Sequence, residues 1–118
     1  MEITHKLKRP PASTPPLYAT KNTSADEKLV TAHYFLPGTA ADWYVVEFSS
    51  DEQLLFGWAE IVSGGGEWGY TSLRELEECV VNVKCLIDGG IFSIPMRVEL
   101  DEYWDNTQTM GEVLAKRP

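Results

Sequence analysis

The chain has 118 residues and a 43% hydrophobic share, which suits one folded domain with one core and excludes a disordered chain. Its net charge of −8 is concentrated: residues 29–114 carry three Lys/Arg against fifteen Asp/Glu, a net of −12, while residues 1–28 carry a net of +2. Such a body repels nucleic acid, which is bound through Lys/Arg on phosphates, and it favours basic surfaces.

In chain order, residues 1–16 hold four prolines and little apolar content, so they are expected to form a proline-rich arm without its own core. A single acidic domain is expected over 17–118, with Leu17 and Tyr18 docking the arm. Met1–Pro16 lacks the apolar region of a signal peptide, and no apolar run approaches the ~20 residues of a membrane helix. The expectation is a cytoplasmic protein without membrane contact. Residues 29–36, "LVTAHYFL", read as a strand ended by Pro37-Gly38. Residues 42–49 and 54–62 read as two more, joined by the polar turn Ser49–Glu52. Gly57 suits a bulge or a close packing contact.

Gly64-Gly65-Gly66 matches neither the phosphate-loop nor the dinucleotide spacing and reads as a hairpin turn. Glu67–Thr71 is expected as a short fourth strand. Ser72 then caps a helix, with Glu75 completing an S-x-x-E box and Leu73 and Leu76 turned inward. "CVVNVKCLID" suits either a continued helix or a strand. "IFSIPM" and "RVELDEYW" read as short extended segments, and "TQTMGEVLAKR" as a C-terminal helix closed by Lys116, Arg117 and Pro118. The fold class expected is α+β: a mostly antiparallel sheet of four to six strands with one or two short helices. The expected core is Phe35, Trp43 or Tyr44, Val46, Phe48, Phe56, Trp58, Tyr70, Leu73 and Leu76.

Catalysis finds little support. A nucleophile needs a neighbouring base, yet His33 lies in an apolar strand, His5 lies in the arm, and no G-x-S-x-G elbow exists. Cys79 and Cys85 form no CxxC pair and read as two buried reduced thiols, so no metal and no cofactor is expected. If Val98–Glu102 is a strand, Glu99 and Asp101 point the same way about 6.8 Å apart, a spacing that suits a cation or an acid/base pair in a carved cleft. A solvated acidic edge or a partner-binding stripe explains them more simply. The candidate partner-binding residues are Glu75, Glu77, Glu78, Glu99, Asp101, Glu102, Asp105 and Trp104, with no catalytic residue.

"PPLYAT", "YFLP", "DWYVVEF", "LLFGW", "GYTSLREL" and "IPMRVELDEYW" occur in this order over Pro15–Leu114. In combination they resemble a family of small bacterial proteins known as a domain of unknown function. The resemblance implies a setting on plasmids, phages and other mobile elements, but no known reaction. Lys21 departs from the pattern, which has an acidic residue after "LYAT". Small acidic proteins of mobile elements include inhibitors of CRISPR effectors. The resulting expectation is a non-catalytic, anti-CRISPR-like binding protein that occupies the basic groove of a host complex without touching nucleic acid directly. The alternative is an accessory interaction module of plasmid maintenance or transfer that binds through exposed aromatics such as Tyr103 and Trp104.

Overall fold

The computed structural model describes residues 6–116. Met1–His5 of the proline-rich arm, and Arg117 and Pro118 of the predicted C-terminal closure, lie outside the described residues. The strands are β1 (Ala32–Phe35), β2 (Asp42–Ser49), β3 (Leu54–Val62), β4 (Gly65–Ser72), β5 (Val80–Ile87), β6 (Gly90–Arg97) and β7 (Glu99–Leu100). Helix α1 is Leu73–Glu78, α2 is Met110–Ala115, and a 3-10 turn spans Ala25–Glu27. Five strands form an antiparallel sheet in the order β4-β3-β2-β1-β7, and β5 with β6 makes a separate two-stranded hairpin. The fold is α+β.

Alternation along the strands separates two cores. On one face Ala32, Tyr34, Trp43, Val45 and Leu55 meet Leu73 and Leu76 of α1, together with Leu7 and Val98. On the other, Tyr44 and Val46 meet Val30 and, from α2, Met110 and Val113, with Phe56, Trp58, Trp68 and Trp104 half-buried against them. Trp43 and Tyr44 are thus both buried, one on each face. A β-bulge between Val45 and Glu47 places Val46 and Glu47 on the same side, so an acidic residue enters the interior beside Phe56.

Several boundaries differ from the sequence reading. Strand β1 is shorter because the chain before it is engaged elsewhere: Leu29 bridges Thr109, and the Val30 N–H donates to the Gln108 carbonyl at 2.9 Å. Strand β4 is longer than Glu67–Thr71, since only Gly64 (φ 81°) forms the turn while Gly65 and Gly66 enter the strand. Gly66 is required there because a Cβ would overlap the Trp58 indole lying across it. Gly57 serves a close contact: a Cβ would overlap the Tyr44 carbonyl oxygen, while the bulges fall at the partner residues near Val46 and at Ile61.

Tyr70 is 51% exposed rather than core, because β4 is the sheet edge; Phe35 is half-buried. Only the hydroxyl half of the Ser72 box forms, with Ser72 Oγ accepting from the Glu75 N–H at 3.4 Å. Ser72 still belongs to β4, paired with Leu54. The complete box is at α2, between Thr109 and Glu112. "CVVNVKCLID" is a strand, and Cys79 and Cys85 are half-buried free thiols rather than buried ones. Among the described residues no helix is long and apolar enough to cross a membrane.

Candidate functional site

The arm is held rather than loose over its described part. Leu7 is buried in the first core, and its N–H donates to the Glu77 carboxylate at 3.1 Å. The buried Tyr34 hydroxyl donates to the Lys8 carbonyl at 2.6 Å, and its burial pushes the phenol well above the ordinary tyrosine range. Lys8 pairs with Glu102, and Arg9 Nε donates to Gln53 Oε1 at 2.8 Å. Two adjacent arm residues therefore reach two acidic groups distant in sequence, Glu77 on α1 and Glu102 after β7. The basic segment Lys6–Arg9 thus runs between Glu77 and Glu102. An open cleft of about 400 Å³ lies there, lined by Lys6, Lys8, Phe35, Glu99, Glu102 and Tyr103 among others.

The predicted partner-binding residues divide within this frame. Glu75 and Glu99 are exposed, and their carboxylates make no ion pair or hydrogen bond among the described residues. Glu78 is exposed and meets Arg74 one turn away at 3.3 Å, a weak surface pair. Glu77 and Glu102 hold the arm. Asp105 accepts from the amide and hydroxyl of Thr107, at 3.0 and 2.6 Å, and these bonds hold its carboxyl below the usual carboxylate range. Strand β7 ends at Leu100, so Glu99 and Asp101 do not form the predicted same-face pair. The Asp101 N–H instead donates to the His33 carbonyl at 2.8 Å, and its carboxylate turns to the His33 ring.

Trp104 also points inward. Its Nε1 donates to the Val30 carbonyl at 2.9 Å, and its ring lies 5.2 Å from His33 and 5.8 Å from Tyr44. Beside it, Tyr103 is 96% exposed.

Two clusters escaped the sequence reading. In the first, His33 lies between two carboxylates, Nε2 at 2.7 Å from Asp42 and Nδ1 at 3.1 Å from Asp101, with its ring stacked on Tyr44 at 4.8 Å. Both ring nitrogens are engaged, so this arrangement ties β1, β2 and the segment after β7 together. In the second, Glu47 is 2% exposed and accepts from the Tyr18 N–H (2.8 Å), the Thr20 N–H (3.0 Å) and the Thr20 hydroxyl. Lys28 Nζ donates to Thr20 Oγ1 at 2.9 Å and to the Thr20 carbonyl. Burial alone would raise the Glu47 carboxyl, but the Thr20 and Tyr18 hydrogen bonds and the Lys28 charge outweigh it and hold it below the ordinary value. The only sequence signal for this cluster was a charged residue inside the apolar run "WYVVEF".

Among the described residues no group of three His, Cys, Asp or Glu side chains is placed to hold a metal ion. A family model described as "Protein of unknown function (DUF2958)" matches residues 16–114, so the chain belongs to that family. No curated protein and no solved structure matches the chain.

Proposed function

We propose that this member of the DUF2958 family is a non-catalytic binding protein that presents its acidic face to the basic groove of a nucleic-acid-handling complex and inhibits that complex by occupancy. The observation that carries the reading is the surface at Glu77 and Glu102. It already receives a basic extended segment of its own chain, with Lys8 on Glu102 and the Leu7 N–H on Glu77. A basic partner surface is recognised by the same chemistry. Of the predicted carboxylates, Glu75 and Glu99 make no ion pair or hydrogen bond among the described residues and Glu78 has only the weak surface pair with Arg74, so they are the contacts assigned to the partner. The mobile-element setting implied by the sequence resemblance favours a host defence complex, such as a CRISPR effector, as the target.

A second reading draws on Tyr103, which is almost fully exposed at the mouth of the cleft. In that reading the protein is an accessory module of plasmid maintenance or transfer that binds through this aromatic, and the acidity serves solubility. Titrating a captured partner against salt separates the two. Contacts made by exposed charges weaken steeply with ionic strength, whereas an aromatic contact does not. Replacing Glu75, Glu78 and Glu99 together by Lys abolishes binding in the first reading. Tyr103→Ala abolishes it in the second.

A further inference from the structure

The β5–β6 hairpin is amphipathic. One of its faces carries the cross-strand pairs Val81–Met96, Val83–Ile94 and Cys85–Phe92. The half nearer the body is partly covered: Met96 packs on the first core, and Val83 lies over the β1–β2 turn, with Cγ1 3.1 Å from where a Gly38 Cβ would stand, while Val81 stays 39% exposed. The far half is not. Phe92 is 53% exposed and Ile87 44%, while on the opposite face the pair Leu86 and Ile91 is 76% and 74% exposed. An isolated two-stranded hairpin is marginally stable in water, and this one is apolar on both faces at its outer end.

We infer that this hairpin is a homodimerisation arm, covered in solution by the same hairpin of a second copy. Three observations select a second copy. The first is area: Val80, Leu86 and Ile91 on one face, and Val81, Ile87 and Phe92 on the other, leave roughly 250–350 Å² of apolar surface bare on each face, within the range of the patches that mark interaction sites. The second is charge. The hairpin is nearly neutral, with Lys84 and Arg97 against Asp88 alone, inside a body of net −12, so two acidic copies meet there with less like-charge repulsion than at the carboxylate-rich surface. The third is edge chemistry. Pro95 has no N–H and blunts the outer edge of β6, which leaves β5 as the one unblocked edge of the hairpin. A single open edge pairs isologously with itself and closes as a twofold dimer rather than a fibre.

The test is sedimentation of the full chain over a roughly hundredfold range of concentration, beside a Leu86→Asp/Ile91→Asp variant checked for folding by circular dichroism. The expected result is a dimer for the natural chain that tightens with added salt, as body repulsion is screened, and at least about tenfold weaker dimerisation for the variant. A natural chain that stays monomeric throughout overturns the inference, as does a dimer that survives both aspartates. Should the variant fail to fold, amide exchange of the natural chain decides. Protection of residues 80–97 that rises with concentration supports the dimer, and protection that does not change refutes it. A different protein bound at this hairpin, with no self-association, would also refute it.

Discussion

Glu47→Gln is the most informative substitution in the body of the protein. The carboxylate accepts three hydrogen bonds from Tyr18 and Thr20, in an interior where Lys28 supplies the nearby positive charge. Glutamine keeps the volume but puts an NH2 where one oxygen accepts, so at least one of the Tyr18 and Thr20 donors loses its partner. Hydrogen bonds to a charged group contribute about 1.5–3 kcal/mol each, and a buried donor left unmade costs about 1–3 kcal/mol. The expected loss of stability is therefore about 2–4 kcal/mol, or a fall in Tm of roughly 8–16 °C for a domain of this size. Urea and thermal unfolding followed by circular dichroism measure it. The pH dependence supplies a second check. Because the folded-state pKa is lowered, the stabilisation is fully present above the unfolded value near pH ~4.3 and is lost as pH falls through the folded value. The gap between natural chain and variant should accordingly close on acidification. A variant within about 0.5 kcal/mol of the natural chain at neutral pH, or a gap that widens in acid, would refute the assigned role.

Gly57→Ala should fold poorly or not at all, since its methyl meets the Tyr44 carbonyl of the neighbouring strand rather than a side chain that can move; soluble yield and the unfolding midpoint report it. Trp104→Phe removes the bond to the Val30 carbonyl and part of the packing on His33 and Tyr44, and should lower stability by about 1–3 kcal/mol in urea unfolding without changing partner affinity at temperatures where it is folded. Lys8→Ala breaks only an exposed ion pair and should shift stability by less than about 0.5 kcal/mol, while leaving Glu102 open to a basic partner and tightening capture.

The central sheet was legible where alternation and turn residues agreed. Asp42–Ser49 and Leu54–Val62 form as read, because Trp43, Val45 and Leu55 alternate with Tyr44 and Phe56 about a polar turn. The β5–β6 hairpin was only half legible: its β-branched run suits a strand, yet the face it leaves bare removes the usual inside–outside contrast. The acidic site was least legible. A list of carboxylates does not distinguish Glu99, which faces solvent, from Glu77 and Asp101, which are used internally by Leu7 and His33. Those partners lie about seventy residues away in sequence, 70 for Leu7 and Glu77 and 68 for His33 and Asp101, so only the fold brings them together. The bulge that turned Glu47 inward is likewise a backbone event with no residue signature.

The most direct measurement of the proposed function is affinity capture of a purified nuclease or CRISPR effector complex from the host by the tagged protein, at about 0.05 and 0.5 M salt. The natural chain is compared with the Glu75→Lys, Glu78→Lys, Glu99→Lys triple variant. The proposal requires capture with loss of nuclease activity at low salt, and neither at high salt nor with the variant. Capture that is indifferent to salt and to all three reversals would contradict it.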